Sequence, residues 1–318
     1  MTITKLAWRD LVPDTESYQE LFAQPELAKE HEFILSDTQP RLHYALEQVL
    51  SPWATAPFML LKAPEEAEYL TLLGDAVRQL KPEANAVFGG QYRIAGHDVT
   101  FEPAAQADGR FAAKGEVITA NWVEAEQLFG CLRQFNGELS LQPGLVHRAN
   151  GGVLIISLRT LLSQPLLWMR LKTIVNQQRF DWVGYDESRP LPVAVPSMPL
   201  SLTVVLTGDR ESLADFQEME PELAEQAVYS EYEDNIQIAD ADDMAQWCQW
   251  VMAVAERFAL PTPAADAWPG LIREAVRHTG DQETLPLCPL WIGKQLREVG
   301  VISGKGAFTG EQLTQMLA

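Results

Sequence analysis

Cysteine is scarce. Cys131, Cys248 and Cys288 stand far apart, without metal-ligand spacing, so neither a metal centre nor a disulfide framework is expected. Three unpaired thiols fit a reducing, cytoplasmic setting. No apolar run is long enough to span a membrane, and Met1 to Arg9 lack the apolar core of a signal peptide. Positive charge is scarce too: 24 Lys and Arg oppose 44 Asp and Glu among 318 residues, a formal net charge of −20. Such a field repels phosphate backbones and anionic surfaces, which argues against nucleic acid and membrane as partners. The shortage is also local. Between Arg210 and Arg257 no Lys or Arg occurs, while Glu218, Glu220, Glu222, Glu225, Glu231, Glu233, Asp234, Asp240, Asp242 and Asp243 do. A run of this kind is ordinarily a solvated face, and its alternative use is docking a basic partner protein.

What is present centres on Leu141 to Leu162, LQPGLVHRANGGVLIISLRTLL. Pro143-Gly144 makes a turn, His147-Arg148-Ala149-Asn150 a polar cluster, and Gly151-Gly152 launches the apolar run Val153 to Ile156. A short β-branched run leaving a double glycine predicts a buried strand of a parallel α/β sheet. His147, Arg148 and Asn150 read as hydrogen-bonders orienting the turn. Arg148 could instead meet an acidic surface of a neighbouring subunit, around Glu220–Glu225.

Along the chain, residues 1–36 form a mixed polar arm with Pro13 and Pro25 as breakers. A helix is predicted from Asp37-Thr38, with Pro40 in its first turn and Leu42, Ala45, Leu46, Val49 and Leu50 on one face. Phe58-Met59-Leu60-Leu61 is a short strand, followed by a helix through Leu80. Ala84–Ala120 reads as a small β-type or irregular insertion. Leu161–Gln178 predicts one helix, with Leu162, Leu166, Met169, Leu171, Ile174 and Val175 as its apolar positions. Arg179–Val183 and Leu200–Leu206 look like strands flanking a stiff linker of Pro190, Pro192, Pro196 and Pro199. Beyond about residue 237 the pattern is helical, with segments near Asp242–Leu260, Ala264–His278, Pro289–Val299 and Thr309–Ala318. The expected organisation is an arm (1–36), an α/β domain (37–237) and an all-α domain (238–318).

The phrase LFG at Leu128–Gly130, then PGxxHRANGG and four apolar residues, resembles the ATPase part of Lon-like AAA+ proteases of the B-type branch. It is most similar to the proteobacterial Lon homologs. Gln39-Pro40-Arg41 through Leu46 fits that family's first helix and Phe308–Ala318 its last lid helix. The resemblance implies an AAA+ (P-loop NTPase-like) parallel-sheet domain followed by an all-α lid.

Placed on these residues, the family's nucleotide chemistry is missing. A phosphate loop needs glycines to bring backbone N–H groups round the phosphates, a lysine on the β/γ-phosphates and a hydroxyl on Mg²⁺. The resemblance puts Glu65 and Ala67 at loop-glycine positions, Glu68 at the lysine and Tyr69 at the hydroxyl residue. The next glycine is Gly74, and no lysine lies between Lys62 and Lys81. After the second strand Ser157 and Leu158 replace the acidic pair that holds Mg²⁺ and activates water. Glu211 to Glu256 holds no arginine to act in trans. The expectation is a degenerate, pseudo-ATPase module without bound ATP, Mg²⁺ or other cofactor and without catalytic residues. Its implied role is scaffold or substrate-receiving element of a Lon-like serine protease homolog. The family's Ser–Lys dyad lies in a separate C-terminal domain; Ser163 and Ser303-Gly304-Lys305 read as ordinary turn residues. The implied partner is a polypeptide in a homo-oligomer, with Phe129, Phe135 and Trp182 (and Phe180 and Tyr185 nearby) in stretches that line the substrate path. A free-standing module docking a basic protein is the other reading.

Overall fold

Five short runs become the strands of one sheet, β1 (Phe58–Lys62), β2 (Val117–Ala120), β3 (Val153–Ser157), β4 (Thr203–Gly208) and β5 (Val228–Glu231), of which β1, β3 and β4 carry the continuous apolar stretches. In this computed structural model, which describes residues 13–24, 27, 33–81, 84–184 and 190–318, the strands pair in the order β5-β1-β4-β3-β2. Every pairing is parallel. β3 is buried along its whole length, as a strand covered on both faces requires. The register sets Lys62 opposite Gly208 and Thr207 opposite Ser157, so β1, β4 and β3 finish together on one edge. Strand order reverses between β1 and β4, and in open α/β sheets the crevice beyond such a reversal is where ligands bind.

Helices α1 (Pro40–Leu50), α2 (Ala67–Leu80), α3 (Pro165–Gln177) and α4 (Arg210–Met219) belong to the same part of the chain. Of the predicted face of α1, Leu42, Ala45, Leu46 and Val49 are buried and Leu50 is half-buried; the helix starts at Pro40 rather than at Asp37-Thr38, because Gln39, with φ/ψ of −134°/55°, is not helical. The single helix expected over Leu161–Gln178 is instead two. A short helix, Leu158–Ser163, ends at Gln164, whose φ/ψ of −133°/74° is not helical, and Pro165 opens α3. Restarting at proline turns the buried stripe to Leu167, Trp168, Leu171, Ile174 and Val175. Leu166 and Met169, expected on the apolar face, are 81% and 60% exposed.

The stretch read as an insertion contains a hairpin, Phe88–Ala95 with Asp98–Pro103. It closes, however, with β2, a strand of the central sheet paired to β3. Four residues with two half-buried positions make too short a run to stand out. A second hairpin, Cys131–Phe135 with Glu138–Gln142, precedes β3. Of the strand predicted at Arg179–Val183 only Arg179–Phe180 forms, against Met198–Pro199.

Contacts divide the described residues into two compact units: residues 41–232, and those up to Pro40 together with 233–318. The second unit is built on α5 (Ala241–Arg257), α6 (Trp268–Thr279), α7 (Pro289–Ser303) and α8 (Gly310–Leu317). Asp240 caps α5 by accepting from the N–H groups of Asp242 and Asp243. Gly280 ends α6 in the left-handed region, and Thr309 with Gln312 forms a capping box on α8. Trp247 and Trp268 meet edge to face at 6.1 Å within this core, and Trp247 Nε1 donates to Pro286 O at 2.9 Å. The unit is not wholly helical, because Asn235–Gln237 pairs antiparallel with Thr284–Pro286.

Candidate functional site

β1 leads into Ala63-Pro64-Glu65-Glu66 and then α2, with no glycine before Gly74. Ala63 N–H donates to Gly208 O at 3.1 Å, which fastens this turn over the end of β4. Glu65 then reaches across that end to β3. It is only 6% exposed. Its Oε1 accepts from Ser157 Oγ at 2.6 Å and from the Arg159 backbone N–H at 3.2 Å. Its Oε2 lies 3.2 Å from Arg159 Nη2, an ion pair without a formed hydrogen bond. A buried carboxylate needs such donors, since an unpaired one costs several kcal/mol. Asp209, on the same edge, is the N-cap of α4. The N–H of Ser212, 2.7 Å away, holds its carboxyl below the usual range, and the Arg159 charge adds to this. Lys62, at the end of β1, pairs with Glu231 at 2.7 Å.

Of the other residues at the predicted nucleotide positions, Tyr69 and Leu158 are packing elements. Ala67 is the exposed first residue of α2, and Glu68 is half-buried. Tyr69 is buried edge to face on Tyr232, centroids 5.2 Å apart. Leu158 is fully buried in the core of the sheet unit. Of the serines considered for catalysis, Ser163 Oγ donates to Thr160 O and Ser303 Oγ to Val299 O, both within their own helix turns. Among the described residues no three His, Cys, Asp or Glu side chains are grouped to hold a metal ion.

The HRANGG segment is a structural clasp. Asn150, 1% exposed, donates from Nδ2 to Pro199 O at 3.0 Å and accepts on Oδ1 from the N–H of Ser201 at 2.9 Å. That pair fixes the approach to β4. Gly151 has φ +78°, and a Cβ there would meet the Phe88 ring at 2.1 Å. A Cβ on Gly152 would lie 2.1 Å from Glu116 O, which is why the entry to β3 takes glycine. His147 accepts on Nδ1 from Gly144 N–H at 2.9 Å, so its proton is on Nε2. The ring is fully buried, stacked on Trp182 and edge to face with Phe180 and Phe111. Burial pushes its pKa down to about 3, with the Arg170 charge adding to the effect. Arg148 is exposed.

Two aromatics expected on a substrate path do not lie on a surface. Phe129 is 1% exposed under the Arg170 guanidinium, and Trp182 is packed on His147 with Nε1 donating to Tyr92 Oη at 3.0 Å. Phe180 is buried with them. Both assignments are corrected by burial, since a side chain enclosed by its own core cannot touch a passing chain. Phe135 is 78% exposed near the tip of the Cys131–Gln142 hairpin. Tyr185 lies outside the described residues. Arg159 was missed as a site residue, and its partner Glu65 is 94 residues away in sequence.

The five-stranded parallel sheet, with its strand order, and the helical part of the chain are those of an α/β domain of AAA+ type with a helical part. Residues 114–227 match the family described as LonB-like, AAA domain. The chain is 64% identical over 317 residues to the "Putative Lon protease homolog" of Escherichia coli (strain K12), covering 100% of this chain and 54% of that protein. It is 38% identical over 210 residues to the protein of the same name from Haemophilus influenzae, covering 64% of this chain and 35% of the relative. An Archaeal Lon protease from Pyrococcus abyssi is 27% identical over 187 residues, covering 56% of this chain and 18% of that protein. The chain is a Lon-like AAA+ homologue. It spans about half the length, or less, of the curated relatives it matches.

Proposed function

We propose that this chain is the AAA+-like module of a Lon-type protein in which the fold serves as scaffold or substrate-receiving element without nucleotide turnover. The observation that carries this reading is the buried Glu65 carboxylate at the edge where β1, β4 and β3 end. A phosphate at that edge would meet a carboxylate, and two like charges about 4 Å apart repel by about 4 kcal/mol at an effective dielectric of 20. The glycine-free turn offers no curl of backbone N–H groups, and Ser157 and Leu158 supply neither a metal-binding charge nor a base. The residues therefore do not suit ATP with Mg²⁺. In this reading the working partner is a polypeptide, met in a homo-oligomer, and among the described residues of the expected set exposed Phe135 is the aromatic that can touch it. Phosphate release from Mg-ATP by the purified chain tests the proposal. It predicts the rate of buffer alone; a rate proportional to protein concentration and lost in Arg159→Ala refutes it.

Exposure of Glu211, Asp215, Glu218, Glu222 and Glu225 on consecutive helices supports a second reading, docking of a basic partner protein. Retention of such a partner on the immobilised chain, lost in salt and lost on neutralising those acids, would favour it over a polypeptide-receiving role.

A further inference from the structure

Glu65 is held by the kinds of group that hold a bound oxyanion. Ser157 supplies a hydroxyl at 2.6 Å, Arg159 a backbone N–H at 3.2 Å and a guanidinium nitrogen at 3.2 Å. Hydroxyl, amide and guanidinium together are the usual recognition set for phosphate. All three come from the end of β3 and the helix turn after it, whereas Glu65 comes from the turn after β1. The 14-residue helix α2 begins beside Glu65, and its N-cap Glu66 makes no side-chain capping bond. Its dipole favours negative charge at that end. Asp209 shares the Arg159 field but is committed to the Ser212 N–H of its own helix.

We infer that this edge is an oxyanion-binding site whose ligand is the chain's own Glu65 carboxylate. The turn after β1 brings neither loop N–H groups nor a lysine, but the donors on the β3 side are present, and Glu65 occupies them, which excludes free oxyanions of the phosphate class from them. The inference rests on the reading of a module without ATP turnover, but it makes a separate claim: the donors are still competent.

The test is a titration of inorganic phosphate into the full chain and into its Glu65→Ala and Glu65→Ser variants, read by melting temperature and by calorimetry. The wild type is expected to show no saturable response. Each variant that melts cooperatively is expected to be stabilised by phosphate, binding it at least about tenfold more tightly than the wild type. Adding Ser157→Ala or Arg159→Ala should abolish that gain. No phosphate response in the folded variants overturns the inference, as does a wild-type response equal to theirs or a gain that survives both second substitutions. The wild-type background gives another check. Ser157→Ala removes the shortest donor to Glu65 and should lower the melting temperature by several degrees; an unchanged value also overturns the inference. Mg-ATP turnover by the wild type would sink the proposed function, whereas silence of the Glu65 variants toward phosphate in an ATP-inert protein would sink this inference alone.

Discussion

Aspartate at position 157 would set two carboxylates against each other. Ser157 is fully buried, and its Oγ lies 2.6 Å from Glu65 Oε1, itself 6% exposed. An aspartate there brings its oxygens to roughly 3 Å from those of Glu65, where two ionised groups repel by roughly 5 kcal/mol at an effective dielectric of 20. The pair can relieve this by binding one proton. Keeping that proton at pH 7, about three units above the ordinary carboxyl range, costs about 4 kcal/mol at 1.36 kcal/mol per unit. The Arg159 guanidinium offsets part of it, so Ser157→Asp is expected to lose about 3 kcal/mol at pH 7. The sign follows from linkage: the folded variant holds a proton that the unfolded chain releases, so its deficit is largest at pH 7 and shrinks as pH falls toward the ordinary carboxyl range. Urea unfolding at pH 7 and pH 5 should show the gap to wild type narrowing by about 2 kcal/mol. A variant within about 0.5 kcal/mol of wild type at pH 7, or a gap equal at both pH values, would refute the Glu65–Ser157 geometry.

Gly152→Val should destabilise the fold by more than about 2 kcal/mol, because even a Cβ would lie 2.1 Å from the backbone oxygen of Glu116; an unchanged melting temperature would contradict this. Asn150→Ala removes a donor and an acceptor that serve Pro199 O and Ser201 N in a buried place, and urea unfolding should show a loss of about 2 to 3 kcal/mol. His147 titrates near 3 in the folded chain, against about 6.5 when unfolded, so its neutral form contributes stability that fades as pH drops below 6.5. From pH 6.5 to 5 the wild type should lose about 1.5 kcal/mol more than His147→Phe; parallel pH profiles would contradict the burial of that ring. Phe135→Ala should leave stability within about 0.5 kcal/mol of wild type, since that side chain is 78% exposed.

The legible parts of this fold were those whose pattern is local. β3 could be read because Val153–Ile156 is a continuous apolar run after two glycines, and α1 because its buried residues recur at helical spacing. β2 was hidden by its shortness, and the exposure of Leu166 and Met169 by the break at Gln164-Pro165, which shifts the phase of a pattern that otherwise runs on. At the site, the absence of loop glycines and of an acidic pair was visible residue by residue. The contact that stands at that edge was not, because the Glu65–Ser157 hydrogen bond joins residues 92 apart and depends on β4 bringing the ends of β1 and β3 to one edge. The aromatic residues expected on a substrate path were legible as types but not in their burial: Phe129 and Trp182 went to the core and Phe135 to a hairpin tip.

Calorimetric titration of Mg-ATP into the purified chain tests the central claim most directly. A self-occupied, glycine-free edge predicts no heat beyond dilution at ATP concentrations reaching the millimolar range. A saturable one-to-one isotherm in the micromolar range would contradict it.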